Sequence, residues 1–400
     1  MKFSLQRRIF SILVLLGCDV LTSPAKPRAN ATEIPFEVSR NHIFLRVKVN
    51  STGPYSFMLD TGSGANIIAT DILGSVGAKG GTEGAATGVG EGLSQALVLS
   101  NIDFQIGDLQ FSSDSVFGLS LDAISGLEGR KVDGLIGYDF FRDYVVEIDY
   151  QRRLLRLTDA ARASLGPNAF MLTFINRLPT IHAVLTDERN VAVECNLEVD
   201  TGATRPLLLS SSFTRAHSNF QFSHSTIHVP LLGGAGSGSM QRITRIGKLT
   251  LGPYQFEHVV TGISESETGL TAWEGIDGVI GGELLARFRL VVDYAHSRIL
   301  FEAKSDLRRP FEYDMTGLIL FAEGPSLNMY VVRFVLPNSP AAEAGLQVGD
   351  RISTVDGKAV LELRISTVAS LLSKAGRTHH LVVERNGHKI SLRLTPRPLV

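Results

Sequence analysis

The sequence predicts a mainly β protein made of two similar lobes and a separate C-terminal module. The chain has 400 residues, which is too long for one ordinary domain. Four short segments recur in the same order at offsets of 140 to 145 residues, so the body of the chain is a tandem repeat. A content of 39 glycines against one tryptophan favours strands joined by turns over a helical bundle.

Composition and charge exclude several classes of protein. Lys plus Arg number 39 and Asp plus Glu number 40, so the net charge of −1 gives no electrostatic support for nucleic-acid binding. Hydrophobic residues make up 44% of the chain and charged residues 20%, as in a folded globular protein. Only two cysteines occur, and no Cys/His cluster has the spacing of zinc ligands, so neither a disulfide framework nor a metal site is expected.

Residues 1–25 have the features of an export signal. A basic segment over residues 2–8 precedes an apolar run over residues 9–17, which is too short to span a bilayer. In one interpretation the signal is removed and the protein is secreted. In the other, residues 15–18 resemble a bacterial lipobox, and a lipid on Cys18 attaches the mature protein to a membrane. A third interpretation is that the segment stays uncleaved. The first two predict an exported protein of the periplasm or cell envelope in a bacterial context.

The repeat divides the body of the chain into lobe 1, residues 33–160, and lobe 2, residues 165–304. The matched segments are residues 57–63 and 197–203, 106–111 and 251–256, 133–137 and 277–281, and 148–150 and 292–294. Within each lobe, short runs of β-branched or alternating apolar residues lie between Gly, Asn and Asp turns, which is typical of strands. Helical patterns are scarce, so both lobes are expected to be mostly β.

The chemistry of the repeat lies in a tripeptide, Asp-Thr-Gly, that occurs once in each lobe. Its aspartates, Asp60 and Asp200, occupy equivalent positions. Two carboxyls about 3 Å apart cannot both ionise, so they share one proton and supply an acid and a base together. Such a pair can activate water for attack on an amide. The residues expected to shape and cross-link the two loops are Thr61, Gly62 and Ser63 in lobe 1 and Thr201, Gly202 and Ala203 in lobe 2.

This pattern resembles the aspartic proteases of the pepsin and retropepsin group. Each lobe also carries the apolar-apolar-Gly element of that group, which ends at Gly137 in lobe 1 and at Gly281 in lobe 2. The resemblance covers residues 33–304 and implies a bilobal retropepsin-like fold in which this element supports the catalytic loop. It further implies an endopeptidase that acts on peptide or protein substrates, with Asp60 and Asp200 as catalytic residues and no cofactor. Both half-sites lie in one chain, so a monomer is expected.

Three residues depart from the pattern of that group. Gly64 stands where that group usually has a larger side chain, and Glu198 stands where it usually has an apolar residue. Pro206 interrupts the run that follows the second motif. None of them removes a carboxylate, and a non-catalytic peptide-binding scaffold on the same lobes is the alternative hypothesis. Asp133 and Asp277 form a second matched pair, and their position directly before the apolar-Gly element predicts a structural role in a turn.

Each lobe also carries a glycine-rich stretch where the protease group has its flap, a hairpin that closes over the peptide. These stretches are residues 80–92 and 233–238. Glycine suits a mobile lid, although the composition alone fits a plain flexible loop as well. The flap candidates are Gly88, Gly90, Gly92, Gly233, Gly234 and Gly236.

The last module, residues 313–396, is similar to a bacterial PDZ domain. The resemblance is carried by residues 339–350, a short helical turn ended by a glycine and followed by a strand. It implies that a C-terminal peptide adds as a strand beside residues 318–322 and packs against a helix near residues 367–372. The residues expected to bind this peptide are Gly317, Leu318, Ile319, Leu320 and Leu371. The alternative is a module that binds no peptide and braces the lobes.

Three expectations concern residues without an assigned chemical role. Residues 308–310, two arginines and a proline, are predicted to form a hinge between separately folded units. His379 and His380 are expected to lie on the solvated surface of the last module. Cys195, in a strand-like run, is expected to be a small buried hydrophobic residue.

Overall fold

The structure is a computed structural model, and it describes residues 32–78, 81–163, 165–236 and 238–400. The predicted export signal, including Cys18, lies outside these residues. Within the described ranges, no helix is long and apolar enough to cross a membrane. The fold is mainly β, which confirms the fold class that the sequence predicts.

Lobe 1 is built around one large β-sheet. Its strands are β1 (Thr32–Pro35), β2 (Glu37–Ser39), β3 (His42–Val49), β4 (Thr52–Leu59), β5 (Asn66–Ala69), β6 (Thr82–Ala86), β7 (Ser94–Leu99), β8 (Ile102–Ile106), β9 (Leu109–Ser113), β10 (Val116–Leu119), β11 (Gly134–Ile136), β12 (Tyr144–Asp149) and β13 (Leu154–Asp159), and its helices are α1 (Asp122–Glu128) and α2 (Tyr138–Asp143). In the large sheet the strand order is β6-β7-β10-β5-β11-β4-β3-β8-β9, and β2 pairs with β3. The remaining strands of the lobe, β1, β12 and β13, belong to another sheet. In β3, Leu45, Val47 and Val49 are fully buried and the residues between them are exposed, as in a strand with one face on the core.

Lobe 2 repeats this construction. Its strands are β14 (Phe170–Met171), β15 (Thr173–Ile175), β16 (Leu178–Thr186), β17 (Ala192–Asp200), β18 (Leu207–Leu209), β19 (Ile227–Leu231), β20 (Ser239–Leu251), β21 (Tyr254–Ser264), β22 (Gly278–Gly281), β23 (Phe288–Asp293) and β24 (Arg298–Ala303), and its helices are α3 (Ser211–Ala216) and α4 (Gly282–Leu285). The sheet order is β15-β16-β17-β22-β18-β21-β20-β19. The central trio β17-β22-β18 corresponds to β4-β11-β5 of lobe 1. Cys195 on β17 is buried, as expected.

A six-stranded sheet joins the two lobes. Its order is β1-β13-β12-β23-β24-β14, so three strands come from each lobe. At its centre β12 pairs antiparallel with β23, and Val146 lies opposite Val292 in the register. Both residues are buried in one hydrophobic core that extends through the two lobes. The body is therefore one continuous unit and not two separately packed domains.

The C-terminal module has its own sheet and core. Its strands are β25 (Leu318–Glu323), β26 (Met329–Val335), β27 (Arg351–Val355), β28 (Lys358–Ala359), β29 (His379–Arg385) and β30 (His388–Leu394), and its helices are α5 (Pro340–Glu343) and α6 (Ile365–Leu372). The strand order is β25-β26-β27-β29-β30, with β28 on β27. Across the described chain, single 3-10 turns lie at Thr70–Ile72, Ala160–Arg162, Leu270–Ala272 and Val360–Glu362. Val332, Val355 and Val368 lie in a core cluster separate from that of the lobes.

The segment predicted to be a hinge is packed against lobe 2. Arg287 is fully buried, and its guanidinium donates hydrogen bonds to the carbonyls of Leu307 at 3.0 Å and Arg309 at 2.5 Å. The same group lies 3.5 Å from the ring centre of Phe311, which is itself buried. The hinge prediction is therefore wrong, because the charged side chain of Arg287 anchors residues 307–311. Arg287 directly precedes β23, far from this segment in the chain.

A second correction concerns the paired histidines. His380 is exposed as expected, but His379 is fully buried and its Nδ1 lies 2.8 Å from Oδ2 of Asp356. Neighbouring residues of a strand point to opposite faces, so two consecutive histidines cannot both lie on one surface.

Replacing Arg287 with methionine should lower the free energy of unfolding by about 3 kcal/mol or more, because the carbonyls of Leu307 and Arg309 would lose the charged, buried donor that anchors them. Denaturant-induced unfolding of the two proteins would measure this difference. The matched control is Arg289→Met, which removes an arginine whose side chain is 37% exposed and forms surface ion pairs. That control should change the stability by about 1 kcal/mol or less. Equal losses in both variants would contradict the anchoring role of Arg287.

Candidate active site

Two pairs of parallel strands hold the Asp-Thr-Gly loops. In lobe 1, β11 runs parallel to β4 and places Ile136 opposite Leu59; in lobe 2, β22 runs parallel to β17. The N–H of Asp60 donates a hydrogen bond to the carbonyl of Ile136 at 2.9 Å. The start of the lobe-1 loop is thus bonded to the apolar-apolar-Gly element. A β-carbon on Gly137 would lie 2.4 Å from the carbonyl oxygen of Ala65. Only glycine therefore permits this close crossing of the two segments.

The two aspartates approach each other across the lobe boundary. Their carboxyls are close enough for the charge of Asp200 to raise the pKa of Asp60. The N–H of Gly62 donates to Oδ1 of Asp60 at 2.9 Å, and the N–H of Gly202 donates to Oδ1 of Asp200 at 2.7 Å. A β-carbon on Gly62 would lie 2.5 Å from Cγ of Asp200, and one on Gly202 would lie 2.6 Å from Cγ of Asp60. Each glycine thus makes room for the carboxyl of the opposite lobe.

The threonines of the two loops cross-link the lobes. The N–H of Thr61 donates to Oγ1 of Thr201 at 3.1 Å, and the N–H of Thr201 donates to Oγ1 of Thr61 at 2.9 Å. Each hydroxyl then donates to the opposite strand, to Val199 at 2.7 Å and to Leu59 at 2.8 Å. Both threonines are buried, so water competes little for these four hydrogen bonds. They hold the two aspartates in register.

Electrostatics favour a shared proton on this pair. Burial raises the pKa of Asp60 well above its usual range, and the charge of Asp200 and the hydrogen bond to it raise it further. Burial also raises the pKa of Asp200. Two neighbouring buried carboxyls cannot both ionise, so the pair shares one proton.

The second matched pair of aspartates lies away from this contact. Oδ2 of Asp133 accepts from the N–H of Ser56 at 2.7 Å, and Oδ2 of Asp277 accepts from the N–H of Asn196 at 2.8 Å. Each carboxylate bonds the backbone of the strand that leads to its lobe's Asp-Thr-Gly loop. This geometry is that of a structural turn.

The glycine-rich stretches form the tips of two hairpins. Flap 1, the β6–β7 hairpin, and flap 2, the β19–β20 hairpin, meet where the N–H of Gly90 donates to the carbonyl of Ala235 at 3.2 Å. A β-carbon on Gly88 would lie 2.6 Å from that same oxygen. Gly233, Gly234 and Gly236 have φ of +108°, +71° and +101°, which suits glycine in a tight tip, and Gly92 has φ of +75°. The two tips are thus closed on each other.

Sequence reasoning assigned no role to a tyrosine that supports the lobe-1 loop. The hydroxyl of Tyr294 is buried and donates to the carbonyl of Thr61 at 2.8 Å. Its equivalent, Tyr150, has a buried hydroxyl without a hydrogen-bond partner among the described residues. The repeat already matched residues 148–150 with 292–294, so this signal was present in the sequence. The repeat identified the position of the tyrosine but did not indicate that its hydroxyl bonds the carbonyl of Thr61.

A buried His–Glu pair was also missed. Nδ1 of His42 lies 3.1 Å from Oε1 of Glu128 at the end of α1, and both side chains are almost fully buried. Burial raises the pKa of Asp200, and the electrostatic effect of His42 acts against that rise. The two residues are 86 positions apart in the chain, and neither lies in the repeat motif. Nothing in the local sequence could have joined them.

The predicted PDZ groove is only partly open. Gly317 has φ of +78°, and its carbonyl accepts from the N–H of Leu336 at 2.8 Å. Leu318, Ile319 and Leu320 follow on β25, which is an edge strand, and all three are partly buried. Leu371 is partly buried on α6, which packs over the same sheet. Leu318, Ile319 and Leu320 thus keep part of their surface exposed.

The other end of the groove lies against α1 of lobe 1. A β-carbon on Gly126 would lie 2.0 Å from the ring of Phe321 on β25. A β-carbon on Gly129 would lie 2.6 Å from the side chain of Ile365, the first residue of α6. Helix α1 therefore covers the end of the groove away from Gly317, and it is the same helix that supplies Glu128 to His42.

Comparison with known families agrees with this geometry. The family model described as aspartyl protease matches residues 45–140, and the model described as PDZ domain matches residues 331–385. The chain combines an aspartyl-protease-like domain with a PDZ domain. The first match includes Asp60 and Gly137, and the second includes most of the strands of the C-terminal module.

Curated relatives match short parts of the chain. Serine protease HTRA1 of Xenopus tropicalis is 40% identical over 70 residues, which cover 18% of this chain and 15% of that protein. Regulator of sigma-E protease RseP of Escherichia coli is 37% identical over 100 residues, 24% of this chain and 22% of that protein. A putative zinc metalloprotease of Thermotoga maritima is 46% identical over 63 residues, 16% of this chain and 12% of that protein. The chain thus spans less than a quarter of the length of each of these relatives.

Two solved structures are similar to parts of the chain. An aspartic proteinase from Irpex lacteus matches with a TM-score of 0.41 and 16% identity over 70% of this chain and 99% of that chain. The photosystem II D1 C-terminal processing protease matches with a TM-score of 0.22 and 32% identity over 24% of this chain and 26% of that chain.

Replacing Thr201 with valine should lower the free energy of unfolding by about 2–4 kcal/mol, because the buried N–H of Thr61 and the buried carbonyl of Leu59 would lose their partner. Denaturant unfolding measures the change. The matched control, Thr201→Ser, keeps the hydroxyl and should be close to the unsubstituted protein in stability. A serine variant as unstable as the valine variant would show that the hydroxyl is not the stabilising group.

Replacing Gly126 with leucine should separate the PDZ domain from lobe 1, because the new side chain would overlap the ring of Phe321. Limited proteolysis should then cleave the segment 305–316 faster, and the melting temperature should fall. The matched control is Gly74→Leu, since a β-carbon on Gly74 meets nothing within 4 Å. Unchanged proteolysis in the Gly126 variant would show that the contact is not needed to hold the domain.

Proposed function

We propose that this protein is an aspartic-type endopeptidase in which Asp60 and Asp200 activate a water molecule for attack on a peptide bond. The observation that carries the proposal is the reciprocal contact of the two loops. Each glycine leaves space for the opposite carboxyl, and each threonine hydroxyl bonds the opposite backbone. A structural turn needs neither feature, whereas a two-carboxyl acid–base pair needs both.

The geometry supports the following reaction. The ionised carboxyl takes a proton from water while the water oxygen attacks the carbonyl carbon, and the protonated carboxyl donates its proton to the carbonyl oxygen. The pair is then singly protonated again, and the intermediate is a neutral diol. On collapse, the newly protonated carboxyl donates to the leaving nitrogen, and one hydroxyl of the diol returns a proton to the other carboxyl. Because the acid, the base and the nucleophile are these groups, the reaction needs no metal or organic cofactor.

The two flaps would hold the substrate. Their tips carry free backbone groups once they separate, and an extended peptide could pair with them as an added strand. Closure over the peptide would exclude bulk water and strengthen the electrostatic effects of the pair. Opening requires loss of the contact between Gly90 and Ala235, together with the 2.9 Å bond from the N–H of Leu270 to the carbonyl of Gly88.

The PDZ domain would bind a C-terminal peptide of a substrate or regulator. The open part of its groove, from Gly317 to Leu320, offers the edge of β25 and the side of α6. Its contact with α1 means that it also braces lobe 1. We further propose that the protein acts after export, in the periplasm or cell envelope, and that one chain forms one active site.

Replacing either Asp60 or Asp200 with asparagine should lower kcat/KM for peptide hydrolysis by at least about 1,000-fold, because the shared proton needs both carboxyls. A peptide-library digest analysed by mass spectrometry across pH 3 to 8 defines the substrates, and kcat/KM is then measured on one of them. Both variants should remain folded.

The control variant is Asp133→Asn, which alters the other matched aspartate and should reduce stability more than turnover. Binding of a statine-type transition-state mimic to the unsubstituted protein, lost in both dyad variants, would support the same assignment. Near-normal turnover in either dyad variant would overturn it. Peptide binding without any cleavage by the unsubstituted protein would favour the scaffold hypothesis.

A further inference from the structure

A third carboxyl lies beside the aspartate pair. Glu198 is on β17 two residues before Asp200, so the two side chains leave the same face of the strand. The position that a β-carbon on Gly62 would take lies 2.8 Å from Oε1 of Glu198 and 2.7 Å from Oδ1 of Asp200. Glu198 is 4% exposed. An acid at this place is therefore both buried and next to the reacting centre.

Glu198 lines a small cavity with a volume of about 10 Å³. Most of the other lining side chains are apolar, and two are polar: Leu208, Leu270, Ile276 and Val279, with Ser210 and Thr271. Val89, from the tip of flap 1, lines it as well. The cavity thus lies between flap 1 and lobe 2. If flap 1 lifted, Val89 would leave this lining and the cavity would widen beside Glu198.

Lobe 1 shows that the fold does not require an acid here. The residue two positions before Asp60 is Met58, and it is the repeat equivalent of Glu198. Met58 lies opposite Leu135 in the register just as Glu198 lies opposite Val279. Both positions are buried, at 3% and 4% exposure. One lobe thus has an apolar residue where the other has a carboxyl.

A buried acid at this site destabilises the free protein. Burial raises the pKa of Glu198 well above its usual range, and the charges of Asp200 and Asp60 raise it further. A raised pKa in the folded state means that this group favours folding at low pH and opposes it as the pH rises. Methionine would have no such effect, so the acid needs an explanation outside the stability of the fold.

We propose that Glu198 is the acidic end of a substrate subsite that receives a lysine or arginine side chain adjacent to the scissile bond. The inference rests on the proposed peptidase function and names the substrate class of the same site. A lysine or arginine has an apolar stem and a charged tip. The stem would lie against Leu208 and Val279, which are cross-strand neighbours and line the cavity together with Val89, and the tip would reach Glu198. Its positive charge would also oppose the burial and the neighbouring carboxyls that raise the pKa of Glu198, and so favour the ionised form of Glu198.

The test compares cleavage of peptides that differ at one position beside the scissile bond. Lysine, arginine and norleucine are placed there in turn, on each side of the bond, and kcat/KM is measured with the full chain. On the side that the cleft serves, the basic peptides should be cut at least about tenfold better than the norleucine peptide. Equal rates for all three peptides on both sides would overturn the proposal.

The decisive variant is Glu198→Met, which gives lobe 2 the residue that lobe 1 already has. It should lose the preference for lysine and arginine, so that the ratio of kcat/KM for the basic peptides to that for the norleucine peptide falls to about one. Glu198→Gln should show an intermediate loss. If the methionine variant lost activity on basic and norleucine peptides by the same factor while remaining folded, Glu198 would support the aspartate pair and would not select the substrate.

A binding experiment separates this inference from the proposed function. The Asp60→Asn variant, with and without Glu198→Met, is titrated with fluorescent forms of the lysine and norleucine peptides. Tighter binding of the lysine peptide that disappears with Glu198→Met supports the subsite even if no peptide is ever cleaved. Equal binding of both peptides overturns the subsite, while cleavage by the unsubstituted protein would leave the peptidase assignment intact.

Discussion

The close approach of the two Asp-Thr-Gly loops is the constraint on which the rest of the body depends. Glycine at positions 62 and 202 lets each loop reach the carboxyl of the other lobe, and the two threonines lock that approach with four buried hydrogen bonds. The parallel strand pairs, the six-stranded sheet between the lobes and the crossing at Gly137 all serve to bring these loops together. A change that moves one lobe relative to the other would therefore alter the distance between the two carboxyls.

The site departs from two-fold symmetry in ways that bear on its chemistry. One tyrosine hydroxyl is bonded and its equivalent is not; one lobe carries a buried His–Glu pair beside the carboxyls. The most consequential difference is Met58 against Glu198, because it changes the charge of one side of the cleft. Two half-sites that share a backbone can thus offer a substrate two chemically different walls.

The sequence predicts those parts of the structure that repeat or follow a local pattern. The lobes, the paired aspartates, the hairpins of the flaps and the PDZ strands are all set by local spacing and turn residues. The unpredicted features are long-range contacts of single charged or aromatic side chains. Arg287 binds the segment taken for a hinge, His379 turns inward to Asp356, and α1 lies against the PDZ groove. Hydrophobic periodicity carries no information on such partners, since each depends on which surfaces meet after folding.

The PDZ domain is joined to lobe 2 at both of its ends. Arg245 of lobe 2 donates hydrogen bonds to the carbonyl of Phe311, before the domain, at 3.1 Å and to that of Val400, after it, at 3.3 Å. A body held at one end can swing through a wide cone, whereas one held at both ends and by α1 at a third place keeps one orientation. A protein captured in the groove would then always be presented to the flaps from the same side. The orientation of a substrate chain along the cleft, and not merely its local concentration, would be decided before the flaps open.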